Sequence, residues 1–174
     1  MQLLANTTSP YVRIARVSMI EKGLNVEPTL VDPWTDDPRL RSANAAMRVP
    51  TLITAEGIPL TESLLIVQWL EHERPAPQWP SLLGRDITGV LSRASMALGV
   101  IDAAVHTLIT RKVTAPLLFD ETPVGLRRRR TMADGMVRLE RVAVNGELTR
   151  SDEPTLDVIC AVVALDCKRP AIPS

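Results

Sequence analysis

Thr7-Thr8-Ser9-Pro10-Tyr11-Val12-Arg13 follows a short apolar run, Gln2-Leu3-Leu4-Ala5, that reads as a first strand. An amphipathic segment then continues to Gly23, with Ile14 and Val17, joined by Met19 and Ile20, at near-helical spacing and Arg13 and Arg16 outward. Ser9 suits the N-cap, because its oxygen accepts from free N–H groups of the first turn. Pro10 suits the first helical position, where a missing N–H costs nothing. A hydroxyl is thereby held at the positive end of a helix, where anions are favoured. From these residues alone it is either an ordinary cap or the start of an active site.

The next elements fall in an order that limits the fold. Val26 to Val31 reads as a second strand, near an edge because of Pro28. A loop, Asp32 to Pro38, leads into about one helical turn. Val49-Pro50-Thr51-Leu52-Ile53-Thr54 is a third strand, and Glu56-Gly57 turns the chain into a fourth, Ile58-Pro59-Leu60. Glu62-Ser63 opens a second amphipathic helix through Leu65, Ile66, Trp69 and Leu70. The order is β-α-β, a connection, then β-β-α.

Arg74 to Ser81 carries three prolines in eight residues and reads as a linker, placing a boundary near residue 78. Strand signals then vanish. Ile87, Leu91, Ala94, Leu98, Ile101, Val105 and Leu108 recur at threes and fours, predicting a long helix from about Asp86 to Lys112. Another spans Val124 to Val144, with Met132, Met136, Leu139 and Ala143 on one face. The last begins near Thr155 and runs through Val158, Ile159, Val162, Val163 and Leu165 to Asp166. The expected domains are residues 1–76, α/β, and 82–174, all-α.

Composition narrows the functional classes. Lys plus Arg and Asp plus Glu are 20 each, so no net field draws nucleic acid or a membrane. Aromatic content of 3% argues further against base stacking. Trp69 is expected in the core. The apolar runs fall short of the ~20 residues a membrane span needs, and Met1-Gln2-Leu3 begins no signal peptide. Cys160 and Cys167 lie too far apart along a helix to bridge and read as buried thiols of a reducing, cytoplasmic compartment. No cluster suggests a metal. The run Arg127 to Arg130 reads as a solvated helix face.

Three short motifs, in this order and at these separations, carry a resemblance: Ser9-Pro10-Tyr11-Val12-Arg13, Arg48-Val49-Pro50-Thr51-Leu52 and Thr61-Glu62-Ser63-Leu64-Leu65-Ile66. With the proline-rich linker and helical half that follow, the chain resembles the glutathione S-transferase family over essentially its whole length. The resemblance implies a thioredoxin-like N-terminal domain with a cis proline, an all-helical C-terminal domain and a homodimer. It also implies glutathione as co-substrate, an electrophilic small molecule as second substrate, and a role in detoxification.

The same resemblance implies roles for single residues. Val49, before a cis Pro50, turns its backbone N–H and C=O outward to pair in strand fashion with an extended tripeptide; alternatively Pro50 simply starts a strand. Ser63 receives the γ-glutamyl carboxylate at a helix N-terminus and Glu62 holds the γ-glutamyl amine, although Ser63 also suits a plain N-cap. Arg48 contacts the glycyl carboxylate or is a solvated surface charge. Ser9 occupies the catalytic hydroxyl or cysteine position, with Thr8 the next candidate and Tyr11 a third. Neither His72 nor His106 is spaced to activate Ser9 as a nucleophile, so Ser9 would instead hydrogen-bond the glutathione sulfur and favour its thiolate. With serine there, conjugation is expected rather than disulfide exchange. The electrophile pocket would draw on Leu98, Asp102 and Val105.

Two features depart from the family. Pro154-Thr155-Leu156-Asp157 places an acid two residues after the capping threonine, where the family has three. The sequence also ends soon after this helix, where relatives continue. These departures motivate an alternative reading, a glutathione-binding or protein-interaction module that keeps the fold without turnover.

Overall fold

Leu3, Leu4 and Ala5 are all buried, which makes β1 (Gln2–Ala5) the centre of a sheet covered on both faces. Such a strand reads as a continuous apolar run, with no alternation. The computed structural model of the chain describes residues 1–116, 118–148 and 154–171. β1 runs parallel to β2 (Pro28–Leu30) and antiparallel to β3 (Thr51–Ile53). β3 in turn pairs antiparallel with β4 (Pro59–Thr61), giving the order β2-β1-β3-β4. Helix α1 (Pro10–Glu21) connects β1 to β2, α2 (Pro38–Ala43) precedes β3, and α3 (Ser63–Glu73) follows β4. This is a thioredoxin-like arrangement, followed by a helical region.

Alternate residues of β1 face opposite sides. Leu3 and Ala5 pack with Leu52, with Val12, Ala15 and Met19 of α1, and with Ile66 and Leu70 of α3. Leu4 packs on the other side against Val31 and Leu40 of α2. Some inward assignments need correction. Leu65 and Ile20 are exposed, because the buried faces are Ser63, Ile66, Val67 and Leu70 on α3, and Val12, Ile14, Ala15, Ser18 and Met19 on α1. Trp69, expected in the core, is half-buried and packs against its margin.

The chain divides into two compact units, Met1–Leu82 and Leu83–Ser174. Within the first, an ion pair fastens the ends of α1 and α3. Lys22 is completely buried, and its Nζ lies 2.7 Å from Glu71 Oε1 and donates to the Arg74 carbonyl at 3.0 Å. Glu71 also accepts from the Leu82 N–H at 2.7 Å and from Ser81 Oγ at 3.3 Å. The Arg74 guanidinium donates to the Lys22 carbonyl and stacks 4.4 Å from the Trp79 ring centroid. Gly23, at φ +68°, is held under that ring, where a Cβ would come within 2.2 Å of it.

In the second unit, α4 (Ile87–Thr114) packs against α5 (Pro123–Val144) and α6 (Leu156–Ala171), and a 3-10 turn covers Phe119–Glu121. The buried stripe of α4 is Val90, Ala94, Ala97, Ile101 and Ala104, whereas Ile87 and Leu91, expected inward, are exposed. Small residues let two helices approach α4 closely: a Cβ on Gly135 of α5 would meet Val100 Cγ2 at 2.3 Å. On α5, Met132 and Leu139 are buried but Ala143 is exposed. Helix α4 is long and apolar enough by composition to cross a membrane, with a mean hydropathy of 1.3 over its most apolar 18-residue stretch. Its neighbours α5 and α6 cover part of that surface, while Ile87, Leu91, Ile109 and Val113 stay exposed.

The displaced acid before α6 has a clear use. Thr155 Oγ1 donates to Asp157 Oδ1 at 2.5 Å, and the buried Asp157 receives Arg93 Nε on Oδ2 at 2.6 Å. Asp157 therefore anchors α6 to α4 and does not complete a capping box. Neither Cys160 nor Cys167 forms a disulfide; Cys160 is buried as expected, whereas Cys167 is only half-buried. Burial, and secondarily the charge of Asp157, pushes the Cys160 thiol up to about 12.

Candidate functional site at one end of the N-terminal sheet

Strand register brings the three motifs together. Leu4 of β1 is opposite Thr51 of β3, and Thr51 is opposite Thr61 of β4. The segment after β1, the segment before β3 and the segment after β4 therefore share one end of the sheet. These are the positions of Ser9, of Val49 and Pro50, and of Glu62 and Ser63.

Ser9 is the N-cap of α1, its Oγ accepting from the Val12 N–H at 3.3 Å, and Pro10 takes the first helical position. Because this bond uses an oxygen lone pair, the hydroxyl proton stays available to donate. Thr8 is differently placed: its Oγ1 donates to Asn6 Oδ1 at 2.6 Å, and the same oxygen accepts the Thr8 N–H at 2.8 Å. Asn6 thus commits the Thr8 proton.

At the head of α3, the cap position belongs to Glu62, and Ser63 is the first helical residue, so the plain N-cap reading of Ser63 does not hold. Glu62 makes no side-chain capping bond, which leaves the first-turn N–H groups of α3 uncapped by its side chain. Its carboxylate turns instead to Arg48, with Oε1 2.7 Å from Nη2. Both side chains are more than half exposed, so the pair contributes at most about 1 kcal/mol to stability. Ser63 itself is buried.

Two non-glycine residues beside this end of the sheet, Met47 and Glu62, have positive φ, at 53° and 68°. Left-handed backbone at such residues costs about 1–3 kcal/mol and concentrates at functional sites.

The Val49–Pro50 bond is cis. Among the described residues, neither the N–H nor the C=O of Val49 is hydrogen-bonded within the protein. Just before it, a residue that sequence reasoning missed sets the backbone. Asn44, buried at the C-cap of α2, donates from Nδ2 to the Arg48 carbonyl at 2.9 Å and to Thr51 Oγ1 at 3.1 Å. Its Oδ1 accepts the Ala46 N–H at 3.0 Å, and Thr51 Oγ1 donates to the same Arg48 carbonyl at 3.0 Å. The peptide group between Arg48 and Val49 is thereby fixed from behind. An asparagine after a short helix signals a C-cap in sequence, and its long-range partners cannot be read there.

Further out, Asp37 caps α2 and pairs with Arg39 at 2.6 Å. The Arg39 guanidinium holds the Asp37 carboxyl down at about 2. Among the described residues, no three His, Cys, Asp or Glu side chains group as a metal site.

Residues 8–73 match the family described as glutathione S-transferase, N-terminal domain. Among solved structures, the chain is similar to a glutathione S-transferase of Methylobacterium radiotolerans in complex with glutathione sulfonate. The TM-score is 0.82 and identity 28%, covering 95% of this chain and 77% of that one. A glutathione S-transferase of Methylobacillus flagellatus with glutathione bound gives a TM-score of 0.76 at 26% identity, covering 94% and 80%. The uncharacterized GST-like protein YibF of Escherichia coli K12 is 28% identical over 176 residues, 98% of this chain and 85% of that protein.

Proposed function

We propose that the chain, whose residues 8–73 match the N-terminal domain of the glutathione S-transferase family, binds glutathione at this end of the sheet and activates its thiol for attack on an electrophilic small molecule. The Val49 backbone pairs with the tripeptide in strand fashion, and Pro50 fixes the turn beside it. Ser63 and the uncapped first turn of α3 receive the γ-glutamyl carboxylate. Glu62 takes the γ-glutamyl amine, and Arg48 takes the glycyl carboxylate. Ser9 donates a hydrogen bond to the sulfur.

In the reaction, the thiol proton passes to solvent, the thiolate forms a bond to the electrophilic carbon, and that carbon's leaving group departs or its double bond takes up a proton. Ser9 stays chemically unchanged. A free thiol titrates near ~8.5. A charge-assisted bond of about 1.5–3 kcal/mol lowers that value by roughly one to two units. The relatives with bound glutathione or its sulfonate support the ligand. The protein is read as a cytoplasmic homodimer that serves detoxification.

The observation that carries this reading is the contrast between Ser9, whose hydroxyl proton is available, and Thr8, whose proton Asn6 holds. The test is the pH dependence of conjugation to a reactive aryl halide. Ser9→Ala is expected to raise the apparent thiol pKa by one to two units, with glutathione still bound, and Thr8→Ala to leave it in place. The reverse pattern would move the role to Thr8. Glutathione binding without turnover over a varied electrophile panel would leave a binding module in its place.

A further inference from the structure

Helix α5 carries six arginines against two acids, Asp134 and Glu140, although the whole chain balances at 20 charges of each sign. Elsewhere in the fold arginine side chains are engaged: Arg39, Arg93 and Arg111 bond carboxylates, and Arg74 bonds the Lys22 carbonyl. Among the described residues, none of the six on α5 forms an ion pair or a side-chain hydrogen bond. Of the acids that flank the helix, Asp120 holds Arg111 at 2.6 Å, Glu147 faces Arg93 at 3.7 Å, and Glu121 makes no ion pair with α5.

Periodicity sets where these charges lie. Gly125, Met132 and Leu139 are the buried line of α5. At ~100° per residue, Arg127, Arg130, Arg138 and Arg141 fall within roughly 80° of one another on the opposite side, and all four are exposed. They form a ridge ~21 Å long. Asp134 stands among them and lowers the surplus without pairing with either neighbour. Leu126, Val137 and Val144 run along one flank of the ridge, each more than half exposed.

We propose that this outer face of α5 docks on an anionic phospholipid bilayer, with the arginine ridge at the headgroup phosphates and Leu126, Val137 and Val144 entering the acyl boundary.

Three features select that occupant. The charge is concentrated on one helix, and with a Debye length of about 8–10 Å an approaching surface meets that helix rather than the balanced chain. Guanidinium groups suit phosphate oxygens, which they bind bidentately. An apolar strip beside a basic ridge is the pattern of a helix lying in a membrane interface; duplex nucleic acid would leave the strip idle. The face is also the convex side of a single helix, whereas peptides are recognised in grooves and at sheet edges. A second copy docked through the same face would set arginines against arginines.

The full chain is mixed with phosphatidylcholine vesicles containing about one-third phosphatidylserine, or none, and the bound fraction is read by sedimentation. Binding is expected only to the anionic vesicles and weakens as salt rises. Each arginine near an anionic leaflet is worth about fivefold in partitioning, so Arg130→Gln/Arg141→Gln is expected to lower it about 25-fold. Glutamine matches arginine in helix propensity, and these side chains have no partner to lose, so the variant keeps the parent's urea midpoint. Val137→Gln/Val144→Gln is expected to weaken binding about tenfold and to leave its salt dependence unchanged. Equal binding to neutral vesicles, or anionic binding that the arginine variant retains, overturns the proposal. So does binding that the valine variant leaves untouched. Tighter binding to duplex DNA at matched phosphate concentration would overturn it in favour of nucleic acid. The helix lies wholly in the second unit, so glutathione binding by the arginine variant is expected to match the parent, and either outcome is independent of the transferase reading.

Discussion

Glu71→Gln separates a buried ion pair from an ordinary surface one. The substitution keeps the side chain's length and leaves an oxygen to accept the Leu82 N–H now bound at 2.7 Å. It removes the only carboxylate paired with Lys22 among the described residues, and the Lys22 side chain has no solvent exposure. The ammonium then keeps the Arg74 carbonyl at 3.0 Å but no counter-charge. Deleting one partner of a buried pair costs about 3–5 kcal/mol. Glu71 is 18% exposed, so water relieves part of the loss and about 3 kcal/mol is expected. Urea unfolding measures it as a lower midpoint at unchanged slope, and thermal unfolding as a drop of roughly 6–12 °C. The double variant Lys22→Met/Glu71→Gln is expected to be more stable than Glu71→Gln alone, because no buried charge is then left without a partner while the glutamine oxygen still accepts the Leu82 N–H. A loss below ~1 kcal/mol for Glu71→Gln would place the pair among surface bridges and refute the argument. So would a double variant less stable than the single one.

Two more predictions concern the site and the helical unit. Asn44→Ala removes the bonds to the Arg48 carbonyl and to Thr51 Oγ1; at about 1 kcal/mol each, glutathione affinity by calorimetry is expected to fall at least about tenfold while the pH profile of conjugation holds its midpoint. A shifted midpoint would mean that Asn44 acts on the thiol. Cys160, raised to about 12 in the fold against ~8.5 unfolded, contributes stability that is complete below ~8.5. That contribution is lost as pH climbs toward 12. Stability against urea, measured across this alkaline window, is expected to fall progressively as pH rises, and Cys160→Ala to flatten that dependence. An equally steep decline in Cys160→Ala would assign it to other groups.

Local chemistry determined much of this protein. The apolar run Gln2–Ala5, the Ser9-Pro10 start and the Val49-Pro50 and Glu62-Ser63 motifs each act over a few neighbouring residues, so they are legible in order along the chain. Their order was enough for the thioredoxin-like architecture and for the helical half. What the sequence left open depended on partners far along the chain. Which face of α4 turns inward depended on two helices pressing on it, and alanines rather than the larger Ile87 and Leu91 made that approach possible. Lys22, charged and preceding Gly23, reads as a solvated helix end until Glu71, 49 residues later, is placed 2.7 Å away. The N-cap pattern ranks Ser9 ahead of Thr8 in sequence; that Asn6 holds the Thr8 proton is visible only in the fold. Periodicity reports which residues favour an interior; which interior, and against which partner, is decided when distant segments compete for the same buried space.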